Sequence, residues 1–172
     1  PGAAIFVITG NQFELPATMK GSIFLAMFVL ISCGKEVIIT EEDIRPDMFY
    51  ARNDVNPYTG TCKVVFSDTG LMKEKFHFRG GVLEGEAIAY YRDGKVRWKG
   101  TYENGYCSGK WEYWDTNGNK VMEAFYSNDT LTGPYISWYS NGRMKEQGQF
   151  SENSRTGKWI IYNETGQVIS ET

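Results

Sequence analysis

Four ten-residue segments decide the fold of this chain: GEAIAYYRDG (85–94), GKWEYWDTNG (109–118), GPYISWYSNG (133–142) and GKWIIYNETG (157–166). They begin 24 residues apart, and an imperfect fifth copy, GTCKVVFSDTG, occupies residues 60–70. A fixed period of about 20 to 50 residues indicates stacked repeats. Each copy has the pattern of a strand, a tight turn, a second strand and a looser turn. The sequence therefore predicts an all-β fold, an elongated antiparallel sheet of five hairpin copies.

The tight turns set the register of these hairpins. Pairs such as Asn117-Gly118 favour a two-residue type I′ turn, in which both central residues need a positive φ. Thr69 and Thr165 stand before the turn glycine in two copies, and a β-branched residue resists a positive φ. A type I turn followed by a left-handed glycine accepts all five sequences. We therefore expect three-residue loops in every copy.

This register assigns side chains to two faces, because strand residues alternate. The expected core holds an aromatic column before each turn and a mostly apolar column across the hairpin: Phe66, Tyr90, Trp114, Trp138, Tyr162 and Met72, Val96, Lys120, Met144, Val168. The same face is expected to hold later rings with small residues between them: Phe78, Tyr102, Tyr126, Phe150 and Gly100, Ala124, Gly148. The opposite face of the return strands is expected to meet water through Lys75, Lys99, Glu123 and Gln147.

The first strand of each hairpin directs a second set of rings outward in this register. These rings are the candidate binding face: Trp111, Tyr135, Trp159, Tyr113, Tyr91 and Tyr139. Strand spacing would place the first three about 10 Å apart, and exposed aromatic stripes mark binding surfaces. The alternative is that the rings pack over lysine stems, or that the sheet rolls and covers them.

The residues offer little support for catalysis. The net charge is −3 and the basic residues form no run, which argues against nucleic-acid binding. His77 is the only histidine and falls in a solvent-facing column, and no cluster has metal-ligand spacing. We therefore expect no enzyme activity, no cofactor and no metal. Cys62 and Cys107 begin the first and third copies, which places them about 19 Å apart, so we expect free thiols.

The N-terminal part differs from the repeats. Residues 1–18 are expected to be an upstream extension, because Met19 and Lys20 resemble a translation start. The nine apolar residues 23–31 are too few to span a membrane but fit the apolar region of a signal peptide.

The end of that apolar run resembles a processing site. Leu30-Ile31-Ser32-Cys33 is similar to the bacterial lipobox, in which the cysteine is acylated. The resemblance implies a lipoprotein-type signal peptide over 19–33 with Cys33 as the lipid attachment site. Residues 34–48 are then expected to form a tether with a short helix that begins at Thr40.

Residues 49–172 resemble a known repeat family. The G-x-W-x-x-x-x-x-N-G pattern of 109–118 and the 24-residue period are similar to the bacterial variant of MORN repeats, often labelled YwqK-type antitoxins. Pro57-Tyr58-Thr59-Gly60 is similar to the P-[FY]-T-G opening of that family's first repeat. The resemblance implies a β-hairpin repeat domain over 49–172, and it implies an architecture more than an activity.

These features predict a non-catalytic, lipid-anchored protein of the bacterial cell envelope that serves as a protein-binding or scaffold module. Two alternatives stay open: a glycan-binding module that uses the aromatic ladder, and an antitoxin-like neutraliser of a protein toxin. A protein partner is expected, with a polysaccharide as the alternative, and the membrane is reached only through the lipid. Without the signal peptide, the protein would be cytoplasmic.

Overall fold

A computed structural model describes residues 35–40 and 59–172, which form one sheet of twelve strands. The strands are β1 (Lys35–Thr40), β2 (Gly60–Val65), β3 (Met72–Arg79), β4 (Val82–Leu83), β5 (Gly85–Tyr90), β6 (Val96–Glu103), β7 (Tyr106–Trp114), β8 (Lys120–Ser127), β9 (Thr130–Trp138), β10 (Met144–Ser151), β11 (Ser154–Tyr162) and β12 (Val168–Glu171). They follow chain order across the sheet, except that the short β4 pairs only with β3. All pairs are antiparallel apart from β1 with β2, so the predicted all-β hairpin sheet is confirmed.

Strand β1 comes from the segment that the sequence predicts to be a tether. It pairs in parallel with β2, and Lys35 aligns with Gly60. The proposed lipid attachment site Cys33, the segments 1–18 and 19–33, and the family's entry motif before Thr59 lie outside the described residues. The short helix predicted after Thr40 also lies outside them.

Four of the five tight turns have the predicted three-residue loop. In the last copy, Asn163 N donates to Gln167 O at 2.9 Å, and Gly166 adopts a φ of 88°. Thr165 keeps an ordinary negative φ in this loop, which is why a β-branched residue is tolerated there.

The first copy departs from the prediction. Phe66 N donates to Leu71 O at 2.9 Å and closes a loop of four residues, 67–70. The extra residue of this imperfect copy therefore lies in the loop. In consequence Phe66 occupies the loop-entry position, which Tyr91 occupies in the second copy.

The turns at the opposite end of the sheet are the tighter ones, although the sequence suggested looser connections. Asn128 and Asp129 have φ values of 48° and 61° in a two-residue loop between Ser127 and Thr130. Positive φ at both central residues is the signature of a type I′ turn. The Asp129 carboxylate accepts a 2.6 Å hydrogen bond from Cys107 N, so this turn is tied to the preceding copy.

A β-bulge in every hairpin overturns part of the predicted register. Trp114 pairs with Lys120, as predicted, but Tyr113 pairs with Met122 and leaves Val121 unpaired. The same extra residue recurs in the other copies at Lys73, Arg97, Lys145 and Ile169. Because a one-residue shift exchanges the two faces of a strand, the first strand is reversed relative to the prediction in the last four copies. In the first copy the longer loop offsets the bulge, and Phe66 is buried as predicted.

The reversal places the tryptophans of the predicted binding face in the core. Trp111 is 4% exposed and Trp159 is 3% exposed, so their outward assignment was wrong. A Cβ on Gly100 would lie 2.2 Å from a ring atom of Trp111, and Gly148 stands in the same relation to Trp159 at 2.3 Å. The indoles thus pack directly against glycine backbones. We call this side of the sheet the inner face.

On the return strands, the predictions for the small residues and the later rings hold on the inner face. Ala124 is fully buried opposite Trp111, and Tyr102 and Tyr126 lie 5.2 and 6.2 Å from that indole, measured between ring centroids. Phe150 packs edge-on against Trp159 at 5.1 Å. The columns of small residues and later rings were therefore assigned correctly. The first aromatic column, apart from the buried Phe66, and the apolar column across the hairpin were not, since the residues paired with those rings lie on the other side of the sheet and Val168 is 54% exposed.

Candidate binding face

The remaining rings of the predicted binding face are structural. Tyr135 lies on the inner face between Phe150 and Trp159, at centroid distances of 5.4 and 5.8 Å. Burial raises the pKa of the Tyr135 hydroxyl, and burial together with Tyr126 raises the pKa of Tyr113. Neither ring is part of an exposed ladder.

Tyr91 and Tyr139 connect neighbouring copies at the end of the sheet that carries the three-residue loops. The Tyr91 hydroxyl donates to Trp114 O at 2.6 Å, and the Tyr139 hydroxyl donates to Tyr162 O at 2.8 Å. Each bond spans a full repeat, and each satisfies a backbone carbonyl. These tyrosines therefore stabilise the stacking of copies and do not form a free surface.

A different ring column stands on the other side of the sheet, which we call the outer face. It consists of the residues that the sequence assigned to the core, and we call it the outer ring column: Tyr90, Trp114, Trp138 and Tyr162. These rings are half-buried and recur on every second strand, which spaces them by about 10 Å. The described residues form a single sheet, so no second described layer covers the column. The 24-residue period predicts this column of rings, but the sequence did not reveal the bulge that places the column on the outer face.

A charged cluster surrounds Trp114 on the outer face. It consists of Lys99, Lys110, Glu112, Lys120 and Glu123. Glu112 is only 7% exposed and is paired with Lys99 at 3.0 Å, with Lys110 at 3.5 Å and with Lys120. Burial alone would raise the pKa of Glu112, but hydrogen bonds from Lys120 and Lys99 outweigh it and hold the pKa at about 2.

The cluster also fixes the Trp114 ring. The ammonium groups of Lys99 and Lys120 lie 5.5 and 5.7 Å from the ring centroid, within cation–π range. The predicted register hid this cluster, because it placed the face of β7 that carries Glu112 and Trp114 in the core and placed Lys99 and Glu123 on the opposite face. Lysines on both neighbouring strands, opposite a single glutamate, were the signal that could have revealed it.

Over the last two copies, apolar residues replace the charged cluster on the outer face, and a shallow groove runs along β10. Ile136 and Ile160 flank Gln147 in the register, and Pro134 pairs with Gln149. These residues, with Lys158, line a depression of about 250 Å³. We call it the β10 groove. Gln147 donates its side-chain amide to the Tyr162 hydroxyl at 2.7 Å, which links the groove to the outer ring column.

Reactive groups are scattered over the described part of the chain. His77 Nδ1 lies 3.0 Å from Thr61 Oγ1, and residues 35–40 and 59–172 contain no group of three potential metal ligands. Cys62 and Cys107 are free thiols on β2 and β7, which three strands separate. Burial raises the pKa of Cys62 to about 12 and that of Cys107 to about 11, so neither sulfur is an activated nucleophile. Within the same residues, no helix is long and apolar enough to cross a membrane.

The match to a family model agrees with the hairpin repeat. The family model described as MORN repeat variant matches residues 83–104, 108–128, 131–152 and 155–172. No curated protein matches the chain. Among solved structures, the chain is similar to one in "Crystal structure of GtfA/B complex bound to UDP and GlcNAc", at 14% identity and a TM-score of 0.27. That alignment covers 62% of this chain and 21% of the other.

The matched copies coincide with the hairpins from β4 onward. Repeats of this family generally form non-catalytic modules that often serve in binding. The scattered reactive groups and the regular sheet fit such a module. With four successive copies in register, this chain is a MORN-repeat protein.

Proposed function

We propose that the protein is a non-catalytic, lipid-anchored module that binds another protein through its outer face. The observation that carries the proposal is the outer ring column, four half-buried rings about 10 Å apart on a face without a second described layer. Tryptophan and tyrosine dominate the energetics of protein interfaces because they bury large areas at a small cost in side-chain entropy.

Charge beside the rings favours a protein partner over a neutral polymer. The charged cluster holds Trp114 in place, so little ordering of that ring is needed on binding. Its lysines also remain accessible, since the Lys99 and Lys110 side chains are each 44% exposed. A fixed ring with charges around it resembles the central anchor and polar rim of a protein interface.

The glycan alternative loses the ladder on which it was based. Trp111 and Trp159 are buried, so the set formed with Tyr135 cannot stack on sugars. The antitoxin alternative is a special case of protein binding, and the identity of a captured partner separates it from a scaffold role.

The experiment that tests protein binding is site-specific photo-crosslinking in the cells that produce the protein. A photoreactive phenylalanine analogue at Trp138 is expected to give a discrete adduct with one protein. The same group at the exposed turn residue Glu152 is the matched control and is expected to give none. Absence of a discrete adduct at Trp138, or the same adduct at both positions, would count against the proposal.

The lipid anchor is the second part of the proposal and rests on the lipobox-like Leu30-Ile31-Ser32-Cys33. Acylation of Cys33 would hold the repeat sheet at the cell envelope, on its periplasmic or surface side. Metabolic labelling with an alkyne analogue of palmitate is expected to label the wild type and not Cys33→Ala. Equal labelling of the two, or labelling of neither, would exclude this anchor.

A further inference from the structure

We propose that the β10 groove is the specificity site of the outer face: it binds one bulky apolar side chain of an extended polypeptide that carries acidic residues on one side of this anchor. The inference rests on the proposed protein-binding function and names the chemistry of the partner. It follows from the shape of the groove, from the closure of the equivalent position over β8, and from the charge distribution on the same face.

The groove has the composition of a side-chain pocket. Its walls are Ile136 and Ile160, two strands apart and therefore about 10 Å from each other. Its floor carries Gln147, whose amide nitrogen is already bonded to Tyr162 and whose oxygen can accept a hydrogen bond from a peptide N–H. A volume of about 250 Å³ holds one large side chain but no folded element. Apolar walls with one fixed polar group are typical of sites that recognise a single anchor residue.

The equivalent position one copy earlier is closed. Over β8, Glu123 stands where Gln147 stands over β10, and Glu112 replaces one isoleucine wall. Lys110 and Lys120 each contact both glutamates, so ion pairs cross the space between the strands. The apolar anchor can therefore bind over β10 but not over β8. A sheet of identical copies would instead offer the anchor an equivalent position in every copy.

The charge around the groove determines the rest of the partner. Between β2 and β8, the strands carry six basic and four acidic residues on the outer face, a local excess of two positive charges: Lys63, Lys75, Arg79, Lys99, Lys110, Lys120 and Glu86, Glu103, Glu112, Glu123. The whole chain has a net charge of −3, so this excess is a property of the face and not of the composition. A basic surface favours acidic partners through both attraction and rejection of basic competitors.

The spacing of strands gives the spacing of the motif. The charged cluster lies over β6 to β8, two to four strands from β10, which is about 10 to 19 Å at about 4.8 Å per strand. An extended chain advances about 3.3 Å per residue. The acidic residues are therefore expected about three to six positions from the apolar anchor, on one side of it only.

The test is selection from a library of displayed random peptides of about twelve residues, which span about 40 Å when extended. The bait is the full chain. We expect enriched peptides that share one Leu, Ile, Phe or Tyr with Asp or Glu three to six positions away. Enrichment of basic peptides, peptides without a common apolar anchor, or no enrichment would overturn the inference.

Binding of an enriched peptide is then measured by fluorescence anisotropy. Ile136→Arg is expected to weaken binding about tenfold or more, which corresponds to about 1.4 kcal/mol. Ile169→Arg is the matched control, because Ile169 is 62% exposed on the edge strand and away from the groove, and it is expected to leave the affinity unchanged. Equal weakening by both variants would contradict the site.

Two further measurements keep the result independent of folding and of the broader proposal. Replacement of the anchor in the peptide by Ser is expected to abolish binding to the unaltered protein. Binding of a neutral glycan that Ile136→Arg removes would assign the groove to a sugar and overturn the inference. A crosslinked protein at Trp138 together with a failed peptide selection would leave the proposed function standing without this motif, whereas failure of crosslinking refutes the function itself.

Discussion

The sharpest prediction for the inner face concerns Gly100, where adding a single methyl group tests the register of the sheet. In Gly100→Ala, the new Cβ would lie 2.2, 2.3 and 2.7 Å from three ring atoms of Trp111. The backbone of Gly100 has no positive φ, so backbone conformation itself does not oppose alanine there. The entire cost is steric, because the indole must move out of a site where it is 4% exposed.

The magnitude follows from two opposing terms. Overpacking of a close-packed core typically costs about 1–3 kcal/mol, while alanine in a strand gains about 0.5–1 kcal/mol over glycine. The net loss in the free energy of unfolding is therefore about 1–2 kcal/mol. For a chain of this size, that loss lowers the melting temperature by about 2–8 °C.

The control is the same substitution without the ring. In a Trp111→Leu background, Gly100→Ala is expected to be neutral or stabilising, because the methyl group then fills space that the indole vacated. Urea unfolding of the four proteins gives a coupling energy of about 1–2 kcal/mol between the two sites. If Gly100→Ala melts at or above the wild-type temperature, or shows no coupling to Trp111, the inner-face assignment is wrong.

Three further substitutions test other contacts of the sheet. Glu112→Gln is expected to reduce the dependence of stability on acid pH. The lysine partners hold the pKa of the Glu112 carboxylate at about 2, so its contribution to stability is present above about pH 4.5 and is lost as the pH falls towards 2. Urea midpoints at pH 7 and pH 3 measure the difference between the variant and the wild type. Glu152→Asn is expected to raise the free energy of unfolding by about 0.5–1 kcal/mol, since Glu152 adopts a φ of 50° that asparagine tolerates better, and an unchanged thermal midpoint would contradict this. Tyr91→Phe removes the hydroxyl that donates to Trp114 O and is expected to cost about 0.5–1.5 kcal/mol in chemical denaturation.

The repeat, the strand order and most turns could be predicted because they depend on local chemistry. Thr165 excludes a loop with two positive φ values, and the structure has the three-residue loop that this argument selects. The pairing of Trp114 with Lys120 follows directly from that loop and is also observed. In four of the five copies, the hairpin was therefore predicted correctly as far as the first pair beyond the turn.

The faces of the first strands could not be predicted by the same reasoning, because the bulge carries no residue signature. The unpaired position is occupied by a basic residue in three copies, Lys73, Arg97 and Lys145, and by Val121 and Ile169 in the other two, so no single residue type marks it. Long-range packing instead determines which face the side chains of the first strands occupy. The observed register places Trp111 opposite Ala124, whereas the register without a bulge would place the same indole opposite Glu123.

Size complementarity was the signal that could have corrected the prediction. Large rings on the first strands and small residues on the return strands alternate on one face only when the bulge is included. Trp159 over Gly148 and Trp111 over Gly100 are the clearest examples. Because a glycine in mid-strand is otherwise unfavourable, its recurrence there indicates close approach of a large side chain.

The two faces of the sheet are subject to different constraints, and this difference locates specificity. On the inner face, the second, third and fourth copies provide a small residue beneath a large ring, so Gly100, Ala124 and Gly148 vary little in size. On the outer face, the corresponding positions are not packed against another described layer, and they change from Lys99 to Glu123 to Gln147. Substitutions on the outer face can therefore alter recognition at a small cost in stability, because the alternation that specifies the sheet lies on the other side of the same strands. A repeat protein whose copies are alike on the inner face and different on the outer face can have a different binding position on each copy. The open β10 groove and the closed position over β8 illustrate this arrangement.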